Sequence, residues 1–117
     1  MNIVVLQGVL SSAPSSRELP SGSVLVTYEV TTPVEGAAAA SVPVVWFDPP
    51  EAGTTLEPGT EVVVTGRVRR RWFRVGGASQ SRTEVLAASV VPTRRARSAA
   101  KAVARALEAV PEAFTSG

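Results

Sequence analysis

Apolar and polar positions alternate in short segments over residues 1–92, and Gly and Pro residues separate these segments. A period of two, with Val and Thr at many positions, is typical of short β-strands joined by turns. The first predicted strand, residues 2–10, is apolar on both faces, so each face is expected to be buried. One face, with Val4, Leu6 and Leu10, would line the core. The opposite face, which we expect to contact a second copy of the chain, consists of Ile3, Val5 and Val9.

Four further strands follow from the same pattern, and none of the segments between them has a strong helical period. Residues 11–22 form a Ser- and Pro-rich connection, and Asp48–Gly59 is mostly loop with room for a single helical turn. Pro43 predicts an edge position or a bulge in the third strand. The pattern predicts an all-β fold, a five-stranded barrel of the OB type. The predicted later strands are residues 23–32, 41–47, 60–73 and 82–91, with a flexible hairpin tip at 75–81.

The hydrophobic period changes after Pro92. Apolar residues recur at helical spacing from Arg94 to Val110, and Pro111 ends the pattern. We therefore expect two units, an OB-type domain at residues 1–92 and a basic amphipathic helix with a short tail at 93–117. The cations of this region fit either an additional phosphate-binding surface or a solvated helix face. They are Arg94, Arg95, Arg97, Lys101 and Arg105.

Composition excludes several classes of chemistry. The 117 residues include no Cys and no His, which removes disulfides, thiolate metal sites and the commonest general base. The glutamates are scattered, so we expect no catalytic site, no metal site and no cofactor. No apolar run approaches the roughly 20 residues of a membrane span, and the N-terminus does not resemble a signal peptide. A cytoplasmic protein with no membrane partner is expected.

Charge is distributed unevenly along the chain. Residues 1–66 contain one basic and seven acidic residues, whereas residues 67–117 contain eleven basic and three acidic ones. The overall charge of +2 hides this asymmetry. A basic half of this kind attracts polyanions, although a solvated surface would have the same composition.

Residues 66–74 combine five arginines with two large aromatic residues. Single-stranded nucleic acid needs cations along its phosphates and flat apolar surfaces for its unpaired bases, and this segment supplies both. Alternatively, the aromatic side chains belong to a core or interface and the arginines solvate a protruding hairpin. We predict that neighbouring strands add to the surface. The predicted DNA-binding residues are Arg17, Trp46, Phe47, Arg67, Arg69, Arg71, Trp72, Phe73, Arg74 and Arg82.

Five motifs in order resemble the bacterial single-stranded-DNA-binding proteins, the SSB family of OB-folds. The first strand is similar to the family's Asn-x-Val-x-Leu-x-Gly-x-Leu, and the loop that follows is similar to Pro-x-x-Arg-x-x-Pro-x-Gly. The third and fourth strands and the start of the fifth also fit. The motifs cover residues 2–10, 14–22, 44–47, 56–69 and 81–85.

This resemblance implies that the chain wraps single-stranded DNA across aromatic and arginine surfaces in the nucleoid. It also implies homodimers built through the first strands, commonly paired into tetramers. The family's base-stacking Phe falls at Phe47. Its stacking Trp on the long hairpin falls at Phe73, or at Trp72 with a one-residue slip.

The sequence also departs from the family pattern. The link at residues 33–40 is short and alanine-rich, and Ser41 or Val42 stands where another stacking Trp is common. We also expect no acidic tail tip of the kind that recruits other proteins. These departures predict a divergent or accessory member. A protein-interaction module with weak or no DNA binding, or an RNA-binding OB domain, stays open as an alternative.

Overall fold

The computed structural model describes residues 1–114, which are mostly β-structure. Two α-helices interrupt or follow the strands: α1 (Glu51–Thr54) precedes the fifth strand and α2 (Ala96–Leu107) follows the sixth. A 3₁₀ turn occupies Glu112–Phe114. The six strands are β1 (Val4–Leu10), β2 (Ser15–Glu18), β3 (Val24–Thr32), β4 (Ala40–Phe47), β5 (Glu61–Val75) and β6 (Ala78–Pro92).

All six strands form one sheet in the order β1-β5-β6-β4-β3-β2, and pairing of β1 with β3 closes it into a ring. Two strands share one edge of β3: β2 pairs with its first half and β1 pairs with its second half. Only β4 and β6 run parallel, through Val44 to Val85 and Val45 to Leu86. The closed sheet followed by a basic helix confirms the predicted all-β, OB-type fold class.

Gly8 permits the ring to close. A Cβ atom at this position would lie 2.5 Å from the carbonyl oxygen of Thr31 in β3, closer than carbon and oxygen can approach. A side chain here would therefore push β1 away from β3. A glycine inside a strand often marks such a close approach of two backbones.

The core lies inside the ring and is built from valines with one large aromatic residue. Tyr28 is 1% exposed, and its hydroxyl donates a hydrogen bond to the carbonyl oxygen of Gly53 at 2.6 Å. Burial raises the pKa of this phenol above its ordinary range, so the hydroxyl stays protonated and holds α1 against the core. The large apolar side chains that are fully buried with Tyr28, among the described residues, are Leu10, Val26, Val30, Val44, Val62 and Val64.

Two segments differ from the sequence prediction. The predicted connection at 11–22 contains β2, whose four residues are all exposed, so no hydrophobic alternation marks the strand. Its pairing with β3 defines it. The predicted flexible tip at 75–81 is a two-residue turn at Gly76 and Gly77, both with positive φ, as two-residue hairpins favour. The strands therefore extend further toward the tip than the sequence indicated.

Helix α2 lies within the predicted 94–110 segment and contacts β5 and β6. Its contact is narrow, because Ala99 is the only buried residue among those of α2, all of which the structure describes. The last three residues of the predicted tail, 115–117, lie outside the described residues. Among the helices that are described, none has the length and apolar character to cross a membrane.

Candidate nucleic-acid interface

A groove of about 450 Å³ crosses the outer face of strands β2 to β6, and we call it the strand groove. Four arginines and one glutamate line it, which gives it a formal charge of +3. Thr27 and Val45 form part of its floor. Half of the predicted binding residues meet here although they come from four strands. These are Arg17, Phe47, Arg69, Arg71 and Arg82.

Strand register brings these side chains to one face. Arg69 is paired with Glu84 and Arg71 with Arg82 across the β5–β6 hairpin, while Phe47 is paired with Leu25 across β3 and β4. Partners directly opposite each other in an antiparallel pair project from the same face of the sheet. Alternation along β5 therefore places every second arginine in the groove.

Glu84 anchors two of these arginines from beneath. Its side chain is 1% exposed, and its Oε2 accepts hydrogen bonds from Arg69 at 2.7 Å from Nη2 and 2.8 Å from Nε. Its Oε1 lies 3.5 Å from Nη2 of Arg71. The buried carboxylate therefore holds the Arg69 guanidinium group closely and the more exposed Arg71 less closely, in a groove whose net charge is still positive.

Arg82 is oriented by a second, more exposed carboxylate. Its Nη2 lies 3.2 Å from Oε1 of Glu29, whose other oxygen accepts a hydrogen bond from the Ser41 hydroxyl at 3.0 Å. Both charged side chains are more than a third exposed, so the pair contributes little stability. Its effect is to position Arg82 at the rim.

Two aromatic rings lie against the anchored arginines. The Arg69 guanidinium carbon is 5.5 Å from the centroid of the Phe47 ring, and Phe47 is 38% exposed. Farther along the hairpin, the Arg71 guanidinium carbon is 5.2 Å from the centroid of Phe73. Rings and guanidinium planes are both surfaces on which bases stack. The groove and the adjoining hairpin face thus combine positive charge with stacking surfaces.

The opposite face of the hairpin carries the remaining residues of the basic segment. Arg70, Trp72 and Arg74 alternate with the groove-side residues and therefore point away from them. Trp72 is 67% exposed, and the Arg70 guanidinium carbon is 5.9 Å from its ring centroid. The hairpin therefore presents one aromatic residue on each face.

Two predicted binding residues lie elsewhere. Trp46 is half-buried and packs against the core, where a Cβ atom on Gly53 of α1 would come within 2.7 Å of its ring. Arg67 shares a strand face with Arg69 but lines a different cavity, next to α2. The structure therefore separates both residues from the strand groove.

The predicted contact face of β1 is partly solvent-exposed. Val5 is 46% exposed and Val9 is 39% exposed, while Ile3 is half-buried beside α2. Branched apolar side chains at this level of exposure on a strand form a surface that a second chain can cover.

Sequence reasoning did not identify the carboxylates of the site. The sequence could have predicted the contact of Glu84 with Arg69, because a two-residue turn at Gly76 and Gly77 places the two residues opposite each other. No local pattern predicts the contact of Glu29 with Arg82, since it depends on how β3 and β6 are arranged in the closed sheet.

Comparison with known proteins finds a family match for the sheet-forming part of the chain. A family model described as the single-strand binding protein family matches residues 1–93. A search of curated proteins found no match. The matched region contains the whole closed sheet and ends before α2.

Proposed function

Because the chain belongs to the single-strand binding protein family, we propose that it binds single-stranded DNA in the strand groove and catalyses no reaction. Members of this family are non-catalytic proteins that bind single-stranded DNA and typically form oligomers. The site and its geometry in this chain are our inference. DNA replication, repair or recombination in the bacterial nucleoid is the setting that such binding serves.

The observation that carries the proposal is the contact between Phe47 and Arg69 above buried Glu84. A base stacked on Phe47 would lie beside a guanidinium group that Glu84 already holds in place. Arg71 and Arg82, which lie opposite each other across the β5–β6 hairpin, are then available to the adjoining phosphates. Such stacking contributes roughly 1–3 kcal/mol per base and tolerates any sequence.

Self-association through β1 is the second part of the proposal. The exposed valines Val5 and Val9 lie on the face of β1 that points away from the core. Burying each of these side chains in a second copy would contribute up to about 1.5 kcal/mol, because a valine gains that much when fully removed from water. A homodimer, alone or paired into a tetramer, covers this face.

The test is a titration of fluorescently labelled oligo-dT at two or more salt concentrations, followed by anisotropy. For a single strand, log K falls with log[salt] by about 0.7 per phosphate neutralised. We expect the double variant Arg71→Ala, Arg82→Ala to reduce that slope by about 1.4. A double variant of Arg94 and Arg95, which lie outside the groove, is the matched control for loss of charge.

Each alternative gives a different result in this titration. Equal or tighter binding of a ribo-oligomer would favour an RNA-binding domain. Absence of any anisotropy change at low salt would leave a protein-interaction module as the function. An unchanged slope in the groove variant would place the phosphates on another surface.

A further inference from the structure

A second cavity, which we call the helix cleft, lies between α2 and the sheet strands β5 and β6. Its volume is about 580 Å³, and it is open to solvent along the helix. Helix α2 lies beyond residues 1–93, which are matched by the family model, so the cleft includes an element outside that match.

The lining of the helix cleft is apolar at its floor and basic at its rim. Leu86, Ala102 and Ala106 contribute apolar surface, and Ile3 lies at one end. The charged lining residues within the described part of the chain are all cations: Arg67, Lys101 and Arg105. An anionic ligand with a flat apolar group complements such a surface.

The cleft and the strand groove are separate cavities that follow each other along β5. Arg67, Arg69 and Arg71 occupy every second position of the strand, so the Cα atoms of neighbouring arginines lie about 7 Å apart. Arg71 and Arg69 line the strand groove, and Arg67 lines the helix cleft. A polyanion that leaves the groove past Arg69 therefore meets Arg67 next.

The floors of the two cavities also meet. Val45 of β4 lines the strand groove, and its register partner Leu86 of β6 lines the helix cleft. Neighbouring strands lie about 4.8 Å apart. The two apolar floors are thus adjacent parts of one sheet face.

Helix α2 places two cations along this path. Lys101 and Arg105 are four residues apart and therefore lie one turn above each other on one helix face. Both are exposed, and both line the cleft. Arg94 and Arg95 precede the helix and do not line it.

We propose that the helix cleft is a second binding site for the same DNA strand. Arg67, Lys101 and Arg105 bind phosphates that follow those in the strand groove, and the apolar floor accepts a base. This inference rests on the proposed function, because it extends the path of a strand bound in the groove. It also gives the basic face of α2 a role in binding.

The test compares two double variants that lose the same charge: Lys101→Ala with Arg105→Ala, and Arg94→Ala with Arg95→Ala. Salt-dependent titrations use an oligo-dT of about 16 nucleotides, long enough to cross both cavities. We expect the cleft variant to lower the slope of log K against log[salt] by about 1.4 relative to the control variant. Circular dichroism verifies that α2 is intact, and the conservative variant Lys101→Arg with Arg105→Lys should keep the full slope.

Other outcomes overturn the inference. Equal slope losses in the two alanine variants would show an effect of net charge alone. An unchanged slope in the cleft variant, with salt-dependent binding by the parent, would exclude the cleft while leaving the strand groove intact. Binding of poly-glutamate that the cleft variant loses, with DNA binding unaffected, would make the cleft a site for acidic peptides. If the parent protein binds no DNA, the proposed function itself is wrong.

Discussion

At the residue scale, Glu84 decides how the arginines of the strand groove are held. Its carboxylate is almost fully buried and depends on Arg69 for its closest partner, while Arg71 is farther away and half-exposed. Removing one partner of a buried ion pair leaves an uncompensated charge, whereas an exposed pair contributes little. The two arginines therefore have different structural roles although both line the groove.

We expect Arg69→Ala to lower the free energy of unfolding by roughly 2–5 kcal/mol, because Glu84 loses its main partner. Arg71→Ala should cost less than about 1 kcal/mol. Chemical denaturation measures both. The double variant Arg69→Met, Glu84→Met should recover much of the loss, since it removes both charges. Equal losses from the two single alanine variants would contradict this account of Glu84.

The aromatic pair Trp46-Phe47 shows what the sequence can and cannot predict at this scale. Alternation requires that only one of the two rings faces the groove, but both residues fit either face. Pairing with Leu25 places Phe47 on the groove face, and packing beneath α1 places Trp46 against the core. Side-chain orientation followed from contacts between distant strands, which composition and spacing do not encode.

At the scale of elements, the β5–β6 hairpin contains most of the basic segment and divides it between two faces. Arg69, Arg71 and Phe73 share the face of the strand groove, whereas Arg70 and Trp72 lie on the other. The sequence predicted both strands and placed a cluster of arginines at the end of the first one. It did not predict the short turn, because the small polar residues after Gly77 resemble a loop until they pair with β5.

The two hairpin aromatic residues provide a matched comparison. If the bases lie on the groove side, Phe73→Ala should weaken binding of oligo-dT by about 1–3 kcal/mol, the loss of one stacked base. Trp72→Ala should change the affinity by less than about 0.5 kcal/mol. Anisotropy titrations at fixed salt measure both affinities. A larger loss from Trp72→Ala would move the strand to the opposite face, and neutral results for both would remove stacking on the hairpin.

At the scale of the whole molecule, the closed sheet and the family match agree on the fold class that the hydrophobic pattern predicted. Regular alternation in short segments separated by Gly and Pro residues was sufficient for that prediction. β2 was missed because all its residues are exposed, so only its pairing with β3 defines it. The self-association that we propose depends on one partly exposed strand face.

We expect the double variant Val5→Glu, Val9→Glu to shift the protein from oligomer to monomer. Carboxylates on the outer face of β1 would have to be buried in a second copy, which costs more than the valines contribute. Light scattering coupled to size-exclusion chromatography measures the mass. Val34→Glu, which places a carboxylate at an exposed valine outside β1, is the control. An unchanged oligomer in the variant would show that the contact lies elsewhere. A monomeric parent protein would show that the chain does not self-associate.

The central claim is that single-stranded DNA lies in the strand groove over Phe47. The most direct test is photocrosslinking of the protein to oligo-dT that contains 5-iododeoxyuridine, with the linked residues identified by mass spectrometry. The account predicts crosslinks at Phe47 and Phe73, reduced at high salt, with none at the core-packed Trp46. Crosslinks confined to Trp72, or none at low salt, would contradict it.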